Sequence, residues 1–154
     1  VRGLLINGTA EEMTKKLDGI YRFNNLRPQY IVHTREYLKN NFDFKLKNKI
    51  ESLKNDPLAL REFFADNEGI KGLSYKEASH FLRNIGFKGY AILDKHILNS
   101  LIEFNAVENI KIPVSAKLYP EIEQKMRLFS NEIGIPMDEL DLLLWSRRNG
   151  RILK

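Results

Sequence analysis

Ser74 and Glu77 stand three residues apart, directly after Gly69-Ile70-Lys71-Gly72-Leu73, and this pairing constrains the chain most. A serine N-cap and a glutamate at the third helical position satisfy each other's backbone N–H groups, so the spacing predicts a helix from Tyr75 to about Asn84. Upstream, Asp56-Pro57 is a cap followed by proline at the first helical position, which predicts a helix through Phe64. Two helices joined by a short glycine-containing hairpin, residues 69–74, therefore occupy about residues 57–85.

The same punctuation recurs along the chain. Asn7-Gly8 makes a turn, and Thr9 with Glu12 forms a capping box for a helix to about Leu17. Leu26, Tyr30, Ile31 and Thr34 are spaced for a helix over 26–37, with Pro28 in its first turn. Residues 42–53 read as an amphipathic, lysine-rich helix. Gly86 and Gly89 break the chain, and Asp94 caps a helix from Lys95 to about Phe104. Residues 116–133 read helical despite Pro120, and Gly134 ends them. Asp138 opens a last helix through Trp145 to about Arg148, which Gly150 closes. Alternating strand-like runs are scarce, residues 110–114 being the best. No repeat or low-complexity linker is present, and the expected fold class is all-α.

The 154 residues suffice for one domain or two small lobes sharing a cleft, and a net charge of +5 favours an anionic partner such as nucleic acid. There is no cysteine, which excludes disulfides and any cysteine-ligated zinc or iron–sulfur cluster. His33, His80 and His96 are dispersed, so no metal or cofactor is expected. No apolar run is long enough for a membrane span and no secretory signal is visible, so the default location is cytoplasmic.

Backbone N–H groups gathered at a helix N-terminus attract anions, phosphate above all. Lys71, Gly72, Leu73 and Ser74 are thus candidate phosphate contacts, with Gly72 allowing close approach to the backbone. An ordinary helix–helix turn is the other reading. Lys76 lies in the first turn of its helix, the end where the dipole repels a cation by roughly 0.3–1 kcal/mol. A local rule broken in this way flags function, and a neutral lysine amine is a nucleophile that can form a Schiff base. The alternative is a lysine pointing into water. Asp94 is an N-cap, and also a carboxylate able to face a developing positive charge or take a proton from an amine. His96 either contacts a phosphate or is an ordinary histidine.

The hairpin, Lys76, and Asp94-x-His96 eighteen residues after the lysine resemble the helix-hairpin-helix DNA glycosylase superfamily. Residues 76–84, Lys-Glu-Ala-Ser-His-Phe-Leu-Arg-Asn, are similar to the archaeal-type 8-oxoguanine DNA glycosylase/AP lyases, and Leu140-Asp141-Leu142, Trp145, Gly150 and Lys154 fit that family's ending. The resemblance implies a single glycosylase domain over 1–154, built as two helical lobes around a cleft, whose first helices precede Val1. It implies a bifunctional enzyme that flips 8-oxoguanine out of duplex DNA. Lys76 would attack C1′, Asp94 would stabilise the cationic transition state and help activate the lysine, and β-elimination would nick the strand. Lys154 is implicated in telling 8-oxoguanine from guanine; its carboxylate and ammonium offer the acceptor and donor that N7–H and O8 require. Trp145 either stacks on the flipped base or belongs to the core with Leu142 and Leu144. Arg27 resembles the superfamily's intercalating or orphan-base-contacting arginine, or else is a surface arginine. Lys88 and Lys95 flank the motif as backbone contacts or solvated charges. The expected partner is double-stranded DNA carrying 8-oxoguanine or an abasic site, met by a monomeric, prokaryotic, nucleoid-associated enzyme.

Three other readings remain open. One is a non-catalytic helix-hairpin-helix module. A second is an endonuclease III-like enzyme for oxidised pyrimidines, against which the absence of cysteine argues. A third is an alkylpurine glycosylase, which needs the aspartate but no nucleophilic lysine.

Overall fold

The computed structural model describes residues 1–108 and 114–150. Among them every regular element is an α-helix: α1 (Arg2–Asn7), α2 (Ala10–Leu17), α3 (Leu26–Phe42), α4 (Lys47–Leu53), α5 (Pro57–Ala65), α6 (Tyr75–Asn84), α7 (Lys95–Glu103), α8 (Tyr119–Glu132) and α9 (Met137–Asn149). The all-α expectation is borne out. The chain divides into two compact units, Val1–Leu73 and Ser74–Lys154.

In the first unit, Thr9 and Glu12 close the expected capping box of α2. Asp56 accepts the Ala59 N–H at 3.0 Å, with Pro57 opening α5. Helix α3 runs five residues beyond the expected end. It stops at Phe42 because Asp43 and Phe44 adopt left-handed backbone, φ 46° and 57°. The same two residues break the expected 42–53 helix, which begins only at Lys47. Nothing in the sequence pattern had marked α1. An edge-to-face aromatic chain, Tyr37–Phe42–Phe63–Phe64, with centroids 5.7, 5.9 and 5.0 Å apart, ties α3 to α5. Gly69 fits beneath it, since a Cβ there would lie 2.2 Å from the Tyr37 ring.

The second unit is built on a continuous apolar core. Ile97, Leu98 and Leu101 of α7, Ile122 and Met126 of α8, and Leu140 and Leu144 of α9 are all buried. Two details depart from the sequence reading. Helix α8 starts at Tyr119 rather than near 116, and α9 starts at Met137, leaving Asp138 in its first turn beside the N-terminal end of the helix dipole. Leu82 of α6 is fully buried as well. The strand-like run at 110–114 falls almost wholly outside the described residues. Gly150 closes α9 in left-handed geometry, φ 62°, as expected.

Leu101 is fully buried in this core. Leu101→Ala should therefore lower unfolding free energy by about 2–5 kcal/mol, read by urea denaturation.

Candidate active site

Lys76 and Asp94 line the same cavity in the second unit, an open space of about 510 Å³. Helix α6 supplies Lys76 and His80, one turn apart on one face. The N-terminus of α7 supplies Asp94 and Ile97, and α9 supplies Asp141, Leu142, Trp145 and Ser146. Charged groups and apolar walls thus share one space, as ligand sites require.

Each charged group is held differently. Asp94 caps α7, its Oδ1 accepting the His96 and Ile97 N–H groups at 2.8 and 2.9 Å. Oδ2 takes no part in either bond. The Lys76 side chain is 42% exposed and its Nζ pairs with Glu77 Oε1 at 2.9 Å. The cation at the unfavourable end of the helix therefore has a counter-ion within the same turn. Glu77 also accepts the Ser74 N–H at 3.3 Å and the Ser74 hydroxyl. Burial disfavours the Glu77 carboxylate, but the hydrogen bonds from Ser74 and Lys76 and the Lys76 charge outweigh it and hold the group at about 2.

Trp145 packs against the core of the second unit, as one of its two readings expects, and it also lines the cavity. Two titratable wall residues had no role assigned from sequence. His80 was legible only as the residue four after Lys76. Asp141 stands four before Trp145, an acid set among the leucines of α9, which is the signal that marks it. Asp141 is 3% exposed; its Oδ2 pairs with Arg83, and its Oδ1 is buried without a hydrogen-bond partner among the described residues. Burial pushes its carboxyl above the ordinary range, against Arg83 and the Ile92 backbone. His96 is exposed on α7 and does not line the cavity, and Lys88 and Lys95 are exposed. Lys154 lies outside the described residues.

The hairpin residues of the first unit form a separate, shallower depression of about 250 Å³, lined by residues 65–68 and 70–73. Several of its N–H groups are already engaged. Gly69 donates to Asn67 Oδ1, Ile70 to the Asn67 carbonyl, and Lys71 to Thr34 Oγ1, each at 2.9 Å. The Gly72 and Leu73 N–H groups make no hydrogen bond among the described residues, which narrows the phosphate candidates to these two. Gly72 has an internal requirement as well. Its φ is +80°, and a Cβ would meet the Tyr30 ring at 2.7 Å and Arg27 Nη1 at 2.9 Å. Arg27 itself donates to the Gly72 carbonyl at 2.9 Å, so it braces the hairpin.

The Glu77 carboxyl is depressed in the folded chain, so its stabilising effect is complete above about pH 4.5 and is lost as pH falls towards 2. In urea titrations Glu77→Gln should be less stable than wild type at neutral pH, with the gap closing across that acid window.

Comparison with known proteins shows the family. A family model described as 8-oxoguanine DNA glycosylase matches residues 1–135. The 8-oxoguanine DNA glycosylase/AP lyase of Fusobacterium nucleatum is 43% identical over 152 residues, covering 98% of this chain and 68% of that protein. That of Methanocaldococcus jannaschii is 43% identical over 145 residues, covering 94% and 66%. Among solved structures, the M. jannaschii 8-oxoguanine glycosylase/lyase in complex with a 15mer DNA containing 8-oxoguanine has a TM-score of 0.81 at 38% identity, covering 99% of this chain and 72% of that one. The 8-oxoguanine DNA glycosylase of Thermotoga maritima has a TM-score of 0.80 at 34% identity, covering 99% and 71%. The chain spans about two thirds of the length of the curated relatives it matches. With a lysine and a carboxylate in one cavity and this breadth of similarity, the chain belongs to the 8-oxoguanine DNA glycosylase family.

Proposed function

We propose that this protein excises 8-oxoguanine from duplex DNA and nicks the strand through a Schiff base on Lys76. The observation that carries the reading is Lys76 and Asp94 on one cavity whose other wall holds Trp145. Cavity volume supports it too, since about 510 Å³ is enough for a flipped purine nucleoside.

In this reading Lys76 leaves Glu77, loses a proton, and its nitrogen lone pair attacks C1′. The glycosidic bond breaks, and its electron pair departs with the base, which is protonated as it leaves. Asp94 keeps Oδ2 for the positive charge that develops on the sugar, or for the proton from the amine. Ring opening gives the Schiff base, and loss of a C2′ proton then expels the 3′-phosphate. Trp145 stacks on the flipped base, and Asp141 adds acceptor capacity to the same wall. Gly72 and Leu73 grip a backbone phosphate through their free N–H groups, with Lys71, Lys88, Lys95 and His96 adding charge at the backbone. No helix among the described residues is long and apolar enough to cross a membrane; a monomer acting on cytoplasmic DNA fits the reading.

Borohydride trapping on a duplex containing 8-oxoguanine tests the mechanism. The full-length wild-type protein should form a covalent complex, and Lys76→Gln should form none while still binding an abasic-site duplex. A wild-type protein that binds this duplex without trapping would sink the lyase step. Lys154 gives a second expectation. Deleting Lys154 should reduce 8-oxoguanine excision more than abasic-site binding, and equal losses would remove it from base recognition.

A further inference from the structure

Residues 87–94 form neither helix nor strand, yet Tyr90, Ala91 and Leu93 are 3%, 0% and 4% exposed. Buried backbone of this kind needs a partner for each N–H and C=O. One stripe of α8 supplies four of these partners. Arg127 Nη2 donates to the Gly89 carbonyl at 2.8 Å. Glu123 Oε2 accepts the Ala91 N–H at 2.8 Å. The Tyr119 hydroxyl donates to the Ala91 carbonyl at 2.8 Å and accepts the Leu93 N–H at 3.1 Å. From α9, Asp138 accepts the Gly89 N–H at 3.1 and 3.2 Å.

The intervals match. Two residues of extended chain rise about 6.6 Å, and four residues of helix rise about 6.0 Å. Positions 89, 91 and 93 can therefore meet 127, 123 and 119 in turn, the segment running antiparallel to α8. The last rung ends one residue before Asp94. Tyr119 also reaches the other side of the site. Its ring lies 5.5 Å from that of Tyr75, the residue before Lys76.

We propose that Tyr119, Glu123 and Arg127 form a ruler that sets Asp94 relative to Lys76, with Tyr119 as the positioning residue that touches the approach to both. The inference rests on the roles given above to Lys76 and Asp94. A slip of one residue along the ruler would turn alternate side chains of the extended segment to the opposite side and carry the cap out of the cavity.

Tyr119→Phe in the full-length protein removes the hydroxyl and keeps the ring. Ser130→Ala is the control, since it deletes a bond to the Ile135 carbonyl (2.6 Å) at the other end of α8. One readout needs no DNA: amide hydrogen exchange at His96 and Ile97, the groups Asp94 caps. It should quicken about tenfold or more in Tyr119→Phe and hold in Ser130→Ala. Single-turnover excision of 8-oxoguanine should slow about 10- to 100-fold in Tyr119→Phe, with affinity for an abasic-site duplex unchanged within about twofold. Glu123→Gln keeps an acceptor oxygen and should retain the wild-type rate, whereas Glu123→Leu should fall with Tyr119→Phe. Unchanged exchange in Tyr119→Phe overturns the proposal, as do rate losses that merely track Tm across all the variants. If wild type itself fails to trap, the Schiff-base reading falls, while the exchange result still decides the ruler.

Discussion

An extended backbone buried against a helix is tolerable only when side chains of that helix reach it at the right interval. Leaving one buried N–H or carbonyl unmade costs about 1–3 kcal/mol, and the segment from Gly89 to Leu93 presents several. Their satisfaction by α8 and α9 lets Ala91 and Leu93 enter the core of the second unit. It also delivers the chain to Asp94 without a regular element before it. The cap, the start of α7 and one wall of the cavity all follow from that segment.

The other wall begins with a compromise at the start of α6. Glu77 closes the helix and also neutralises Lys76, so one carboxylate serves local stability and restrains the residue assigned to chemistry. The pair is partly exposed, and solvent lowers the cost of parting them. Lysine at this position is therefore paired without being locked.

Much of this was legible because capping is a local code. Thr9 with Glu12, Asp56 with Pro57, Ser74 with Glu77, and Asp94 each announce a helix start through side chains within three residues. What escaped had no local code. Asp43 and Phe44 take left-handed backbone against their own preference, and nothing nearby marks the break they make. The assignment of Lys76 and Asp94 to one site came from spacing and resemblance, and their shared cavity is consistent with it. Arg27 could not be placed by spacing, because its partner is a carbonyl 45 residues away. Asp141 was visible as a residue but not as a buried acid, since burial is decided by how α6 and α9 pack around Arg83.

The arginines carry a last consequence. Arg27 and Arg127 are committed to the carbonyls of Gly72 and Gly89, Arg35 to that of Gly8, Arg83 to Asp141, and Arg147 and Arg148 to Glu103. In a basic protein these are the residues best shaped to fork onto phosphate, yet here they rivet the fold. Among the described residues, mobile charge rests with exposed lysines such as Lys71, Lys88 and Lys95 and with the exposed Arg2 and Arg22. Lysine meets phosphate as a point charge without directional preference. Long-range attraction to a polyanion would then be loose and sensitive to ionic strength, a regime that favours sliding over gripping until a lesion is met.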